Sequence, residues 1–144
     1  MFIGEHQHNL DAKGRMIVPA KFRDELGQTF IISKGLDKCI CVYPLSEWKI
    51  IEDKLHSLPL ADAGARRFQR FMLGGAFECE PDNQGRVIIP APLREYASIN
   101  KDLVSMGLGN RIELWSKDNW ESYNSDDGNS IDEELSNRMS ALGI

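Results

Sequence analysis

The side chains best suited to chemistry belong to a short motif that occurs twice. Aspartate, two variable residues, glycine and arginine follow one another at residues 11–15 and again at residues 82–86. Arginine carries a permanent positive charge and a planar fork of N–H donors, which can bind a phosphate or the O6/N7 edge of guanine. Arg15 and Arg86 are therefore suited by residue type to bind a phosphate or a base edge.

The two motifs differ in the charge that surrounds them. Residues 11–24 hold four basic and two acidic residues, whereas residues 82–95 hold two of each. Because DNA binding needs cations that match phosphates, the first motif is the stronger candidate and adds Lys13 and Lys21 to the predicted interface. In the second motif Pro92 stands in place of Lys21, which removes one cation.

The aspartate and the glycine of each motif are predicted to build a turn. An aspartate side chain bonds readily to backbone N–H groups just after it, and glycine tolerates a positive φ. We assign this structural role to Asp11 with Gly14 and to Asp82 with Gly85. An Asp11–Arg15 ion pair that serves only the turn is the alternative to DNA contact by Arg15.

Further arginines lie outside the two motifs. Arg66, Arg67 and Arg70 form a basic stretch on a segment without acidic residues, and we predict that it lies at a subunit interface with the acidic C-terminal tail. DNA contact by this stretch is the alternative. Arg23 and Arg94 follow the two motifs on predicted short helices and could equally be ordinary surface residues.

The net charge of −5 comes from one end of the chain. Residues 118–144 carry seven acidic residues and one arginine, while residues 1–117 carry 15 acidic and 16 basic residues. Binding depends on the local potential, so the acidic total does not exclude a nucleic acid as partner.

Other patterns that could support chemistry are weak. His6 with His8 and Cys39 with Cys41 each place two side chains on one face of a strand, as ordinary core or surface pairs also do. The sequence contains neither Cys-x-x-Cys nor His-Glu-x-x-His, so no metal site is predicted. It also lacks a phosphate-binding glycine loop and a nucleophile elbow, so we expect no cofactor and no enzyme.

Composition sets the broad class of protein. The 144 residues are 42% hydrophobic and 27% charged, which is typical of a folded chain. No apolar run approaches the roughly 20 residues of a membrane helix, and no signal peptide is evident. Three cysteines favour a reducing compartment over a disulfide framework, so we expect a cytoplasmic location without membrane contact.

The elements that must position the motifs repeat with them. Residues 11–24 align with residues 82–95 at seven of 14 positions, and the similarity continues downstream. Each unit of about 45 residues is too small for a core of its own, so the two copies must pack together or exchange strands. The first unit predicts strands at 5–10, 15–18, 29–33 and 39–43 and a helix over 19–26 that begins with proline.

Helices are predicted outside the two units. Ser46 should cap one over 47–58 and Asp62 a second over 63–73, while Ser130 and Glu133 have capping-box spacing before a tail helix. A loop is expected at 124–129. The predicted fold is mainly β with short helices, an α+β class. It divides into a first unit at 5–47, a helical connector at 48–75, a second unit at 76–119 and an acidic helical tail at 120–144.

The chain resembles the MraZ family. The resemblance covers roughly residues 1–123 and rests on the paired motifs, on Met-Phe-Ile-Gly at the start, on Tyr-Pro-Leu-Ser-Glu-Trp at 43–48 and on Arg-Arg-Phe at 66–68. It implies two fused AbrB/SpoVT-like swapped-hairpin β-barrel modules, each completed by the other. It also implies ring-shaped homo-oligomers and a DNA-binding role for Arg15 and Arg86.

These observations together predict a function. The resemblance implies a bacterial, nucleoid-associated transcriptional regulator that reads tandem short repeats of double-stranded DNA. It also implies action on the division and cell-wall gene cluster, including its own promoter. A protein-interaction or antitoxin-like module of the same fold, which does not itself read DNA, is the alternative.

Overall fold

The computed structural model describes residues 1–125 and 131–144. It is built mainly of antiparallel strands, with six short helices among the described residues, so the predicted fold class is confirmed. The elements are β1 (Phe2–Asn9), β2 (Arg15–Ile17), α1 (Ala20–Leu26), β3 (Phe30–Lys34), β4 (Ile40–Pro44), α2 (Leu45–His56), α3 (Ala63–Met72), β5 (Phe77–Cys79), β6 (Arg86–Ile88), α4 (Ala91–Ala97), β7 (Asp102–Gly109), β8 (Ile112–Ser116), α5 (Lys117–Ser125) and α6 (Glu133–Ala141).

The two copies exchange strands. A six-stranded sheet runs in the order β1-β7-β8-β4-β3-β5, and a separate two-stranded ribbon joins β2 to β6. The first strand of each copy therefore pairs with the other copy, β1 with β7 and β5 with β3. The ribbon and the β4–β8 pair also join one copy to the other. The residue limits of the two units stay a prediction.

Hydrophobic clusters cover both faces of the six-stranded sheet because successive side chains of a strand point to opposite sides. On β3 and β4, Ile32 and Val42 face the ribbon, α1 and α4. Their neighbours Ile31 and Tyr43 face the opposite way, towards Trp48 of α2 and the other helices of that side. The molecule therefore has three layers, with the ribbon on one side of the sheet and α2, α3 and α5 on the other.

Helix starts follow the prediction only in part. Asp62 caps α3, since its carboxylate accepts a hydrogen bond from the N–H of Ala65 at 3.0 Å. Ser46 is not a cap: β4 runs straight into α2, which puts Pro44 at the capping position. Pro19 likewise lies one residue before α1 and not at its first position.

The tail differs from the prediction at both of its predicted boundaries. The first two residues of the predicted loop, Asn124 and Ser125, belong to α5, and the rest of that loop lies outside the described residues. Ser130 lies outside them as well. The helix α6 begins at Glu133, and Asp132 caps it by accepting from the N–H of Leu135 at 2.8 Å.

None of the helices in the described ranges is both long and apolar enough to cross a membrane.

Candidate nucleic-acid interface

The turn of the first motif is held by its aspartate. One carboxylate oxygen of Asp11 accepts hydrogen bonds from the backbone N–H groups of Lys13 and Arg15, both at 2.9 Å. The other oxygen accepts from Nε of Arg15 at 2.7 Å. The backbone N–H of Arg15, with help from its guanidinium, lowers the pKa of Asp11, so the carboxylate is charged at neutral pH.

The second turn repeats this geometry. Asp82 accepts from the backbone N–H groups of Gln84 and Arg86 at 2.9 Å and from Nε of Arg86 at 2.7 Å. The backbone N–H of Arg86 likewise lowers the pKa of Asp82. The local sequence builds this turn because the aspartate can satisfy two backbone donors at once and Gly14 and Gly85 adopt φ values of 76° and 77°.

Each aspartate orients its arginine through Nε, so the ion pair does not use the two terminal nitrogens of the guanidinium. The ion pairs employ Nε only, and the side chains of Arg15 and Arg86 are 23% and 29% exposed. Within the described ranges, no protein acceptor forms a hydrogen bond with the terminal nitrogens of either residue. Four terminal N–H₂ donor groups of a fixed orientation are therefore available to an external anion or base edge.

The antiparallel ribbon brings the two arginines onto one face. Its register pairs Arg15 with Ile88 and Ile17 with Arg86, with Met16 and Val87 between them. Met16 and Val87 are buried beneath the ribbon. The outer face therefore carries two arginines and two isoleucines in an approximately two-fold arrangement, and Ile17 and Ile88 are 55% and 59% exposed.

Two more arginines complete this face, Arg23 and Arg94, for which the sequence alone left a site role and an ordinary surface position equally open. Nε of Arg23 donates to the carbonyl of Val18 at 3.0 Å, and Nε of Arg94 donates to that of Ile89 at the same distance. Each guanidinium then reaches the turn of the opposite copy. The guanidinium carbon of Arg94 lies 3.0 Å from where a Cβ on Gly14 would be, and that of Arg23 lies 2.6 Å from the equivalent point on Gly85.

The sequence contains one local sign of this arrangement. Both arginines stand eight residues after the arginine of the motif on their own copy, which a repeat alignment displays. The turn they cover belongs to the other copy, and only the exchange of strands brings it near. We name the outward surface formed by Arg15, Arg86, Arg23, Arg94, Ile17 and Ile88 the arginine ribbon.

The predicted lysines take different positions. Lys13 is exposed in the first turn, beside Arg15. The ammonium group of Lys21 lies against β1, 2.7 Å from where a Cβ on Gly4 would be, and 5.6 Å from the ring centre of Phe22. Lys13 therefore borders the arginine ribbon, while Lys21 lies beside the first strand.

The arginines of α3 lie on the other side of the sheet. Arg66 donates from Nη1 to the carbonyl of Leu60 at 3.0 Å, and Arg67 and Arg70 are exposed. The helix is fixed to the sheet where the hydroxyl of Ser33 on β3 donates to a carbonyl near the end of α3, at 2.9 Å. The structure therefore brings together the motif arginines but separates them from this second basic surface.

The residues considered for a metal site do not form one cluster. His6 and His8 lie on β1 and face the same side as the ribbon, where the His8 ring nitrogen contacts the hydroxyl of Ser105 at 2.7 Å. Burial, with His6 as a second cause, lowers the pKa of His8. Cys39 and Cys41 are buried in the cluster on the opposite face of the sheet.

The fold and this surface define a class of tandem-repeat protein. In this class, two copies of one motif exchange strands and together build a single ribbon that carries the motif arginines. The family model described as "MraZ protein, putative antitoxin-like" matches the chain twice, over residues 1–71 and 72–140. The chain belongs to the MraZ family.

Its relatives match along the whole chain. A protein of Clostridium tetani is 53% identical over 144 residues, and one of Clostridium acetobutylicum is 56% identical over 145 residues, each covering all of both chains. A protein of Natranaerobius thermophilus is 54% identical over 123 residues, or 85% of this chain and 86% of its own. All three are named transcriptional regulator MraZ.

Proposed function

We propose that this protein is a sequence-specific DNA-binding transcriptional regulator without enzymatic activity. The observation that supports this most directly is the arginine ribbon, whose terminal N–H groups are oriented and unoccupied by other described residues. A two-stranded ribbon is narrow enough to enter the major groove, and arginine forks can read guanine or bind phosphates there. The name shared by the relatives supports the same function.

Different residues of the arginine ribbon contact the bases and the phosphates. Arg15 and Arg86, held by their aspartates, face the bases, while Arg23, Arg94 and Lys13 bind flanking phosphates. Phosphate contacts fix the register on the duplex, and base contacts select the sequence. The targets we propose are tandem short repeats in the division and cell-wall gene cluster, including the promoter of its own gene, which places the protein in the cytoplasm on the nucleoid.

The first test is a footprint on the DNA upstream of its own gene, followed by titration of the protected fragment with variants. We expect Arg15→Ala and Arg15→Lys each to weaken binding roughly 5- to 150-fold, since a bidentate arginine–base contact contributes about 1–3 kcal/mol. Lysine keeps the charge but lacks the fork, so its failure identifies base reading over simple charge attraction.

The matched control for this test removes a cation from the other side of the sheet. Lys54 is exposed on α2, and Lys54→Ala should leave the affinity unchanged. Wild-type affinity of the Arg15→Ala variant would remove Arg15 from the interface. The antitoxin-like description of the family favours the alternative of a protein-interaction module, and a protein that protects no DNA at all would support it.

We further propose that the protein assembles into a ring of identical subunits through α3. The basic side chains Arg66, Arg67 and Arg70 have opposite charge to the exposed acids of the tail, Asp132, Glu133 and Glu134, and α6 buries none of its described residues. The tail of one copy would lie on α3 of the next. Such a ring would present several arginine ribbons to tandem sites, so that later contacts are effectively intramolecular.

A charge exchange tests this interface. Reversing the three α3 arginines to glutamate should reduce the mass measured by light scattering, because the like charges then repel the tail. Reversing the three tail acids to lysine in the same chain should restore it. Arg15→Ala should keep the wild-type mass. A wild-type mass for the α3 variant, or no recovery in the combined variant, would contradict this interface.

A further inference from the structure

The face of the sheet opposite the arginine ribbon carries a convergent set of metal-ligand side chains. Cys41 on β4 pairs in register with Glu113 on β8, and Cys39 lies two residues before Cys41 on the same face. The two sulfur atoms and a carboxylate oxygen all lie within 4.8 Å of one another. Cys39 is 1% exposed and Cys41 4% exposed, while the side chain of Glu113 is 14% exposed.

A glycine reserves the space around the sulfurs. A Cβ on Gly35 would lie 2.5 Å from Sγ of Cys39 and 3.0 Å from Sγ of Cys41. Gly35 is not among the glycines with positive φ, so the backbone conformation does not explain the absence of a side chain. The turn is also tied to the site, since the N–H of Gly35 donates to the carbonyl of Cys39 at 2.7 Å.

The carboxylate is held in place by two donors. Nε1 of Trp115 donates to one oxygen of Glu113 at 3.0 Å, and Nη2 of Arg111 donates to the other at 3.3 Å. Hydrogen bonds of this kind orient metal-binding carboxylates in known sites. An open cleft beside the cluster, lined in part by Asp37 and Tyr43, gives an ion and a water molecule access from solvent.

We propose that Cys39, Cys41 and Glu113 bind one zinc ion, with a water molecule as fourth ligand. Two sulfur ligands and one oxygen ligand are a set that zinc accepts in tetrahedral geometry. Zn–S bonds of about 2.3 Å place two tetrahedral sulfur ligands about 3.8 Å apart, so the two sulfur atoms, which lie within 4.8 Å of each other, would approach by at most about 1.0 Å. The site joins β4 of one copy to β8 of the other.

Charge also favours a divalent ion. With both thiols protonated, the charges of Arg111 and Glu113 cancel. Zinc replaces two thiol protons, and the two thiolates balance the two positive charges of the metal, so the buried site stays neutral.

The test uses the full-length protein, stripped of metal with a chelator and titrated with zinc against a chromophoric competitor. We expect one zinc per chain, a higher melting temperature with zinc, and a thiolate-to-cobalt charge-transfer band when cobalt(II) replaces zinc. Cys39→Ser and Cys41→Ser should abolish the band, and Glu113→Gln should weaken zinc binding at least about tenfold. Cys79→Ser, which removes the third cysteine, should bind as the wild type does.

Circular dichroism of the metal-free variants checks folding, and Glu113→Gln carries the test if a cysteine variant does not fold. No zinc bound at micromolar concentration would overturn the proposal. Binding that survives both Cys41→Ser and Glu113→Gln but is lost in His8→Ala would overturn it as well, since the metal would then lie on the other face of the sheet.

Discussion

Within each Asp-x-x-Gly-Arg turn, the carboxylate has two tasks that use different oxygens. One oxygen of Asp11 closes the turn by accepting from two backbone N–H groups, and the other holds Nε of Arg15. The turn and the orientation of the arginine therefore depend on the same side chain. An ion pair that stabilises the turn and an arginine that contacts DNA are compatible roles, because they use opposite ends of the guanidinium.

The protonation of the two motif aspartates can be tested by titration. Asp11 and Asp82 should titrate below the ordinary value of 3.8, and the stability they contribute should be lost as the pH falls through their lowered pKa values. Carbonyl ¹³C shifts followed against pH measure both groups. Arg15→Ala should raise the pKa of Asp11 only part of the way, since the backbone donors remain.

Asp82 serves as the internal control, because its carboxylate bonds to Gln84 and Arg86, and within the described residues it forms no ion pair or hydrogen bond with Arg15. Its pKa should not change in Arg15→Ala. Titration of Asp11 at 3.8 in the wild type, or equal shifts of both aspartates in the variant, would refute the assigned contacts.

At the scale of elements, the ribbon works as one unit because each helix arginine covers the turn of the opposite copy. Gly14 is required twice at this point, by its φ of 76° and by the guanidinium of Arg94 above it. A side chain at Gly14 would strain the turn and displace that guanidinium. The same holds for Gly85 and Arg23.

Gly14→Ala should therefore lower both stability and DNA affinity. Moving a non-glycine residue into a left-handed conformation costs about 1–2 kcal/mol, which denaturant unfolding measures. The matched control is Gly109→Ala, where φ is 84° and no heavy atom of the described residues lies within 4 Å of the added Cβ. It should lose comparable stability but keep its DNA affinity, and equal loss of affinity in both would contradict a role for the Arg94 contact.

The exposed isoleucines of the ribbon lead to a prediction about the DNA. Isoleucine in the major groove can contact the methyl group of thymine. The thymines of the footprint can be replaced one at a time by deoxyuridine, which lacks the methyl group. At the thymine that an isoleucine contacts, the replacement should weaken binding about fourfold, because burial of one methyl group contributes about 0.8 kcal/mol. Ile17→Ala should abolish the difference between the two DNAs.

The control for the comparison of thymine with deoxyuridine is Ile50→Ala, because Ile50 is 49% exposed on α2, across the sheet from the ribbon. That variant should still distinguish thymine from deoxyuridine. If wild-type binding is strong but no thymine is sensitive, then the ribbon isoleucines do not read methyl groups, although the arginine contacts stand.

At the scale of the whole molecule, the sheet separates two basic surfaces. The arginine ribbon lies on one side and α3 on the other, so we expect that a duplex whose major groove holds the ribbon would not reach α3 of the same subunit. Salt dependence distinguishes them, since each phosphate contact contributes about 0.9 to the slope of log affinity against log salt concentration. Arg94→Ala should reduce the slope by about one per ribbon bound, whereas Arg67→Ala should leave it unchanged. A reduced slope in Arg67→Ala would assign α3 to DNA.

The parts of this structure that depend on neighbours in sequence could be predicted from sequence. The turns at Asp11 and Asp82, the strands after them and the cap at Asp62 all follow from local side-chain chemistry. Ser46 was misassigned because β4 continues directly into α2, which a local pattern does not reveal. The contact of Arg94 with Gly14 and that of Cys41 with Glu113 could not be foreseen, because both depend on pairing between strands of different copies.

The pairing of β1 with β7 also sets the order of events during synthesis. Residues Phe2–Asn9 find their partners at Asp102–Gly109, about a hundred positions further along the chain. At roughly 5–20 residues per second, the ribosome delivers that partner about 5 to 20 seconds after the first strand has been made. Until then the first strand has an unsatisfied edge, so the growing chain is most exposed to mispairing with another nascent copy during this interval.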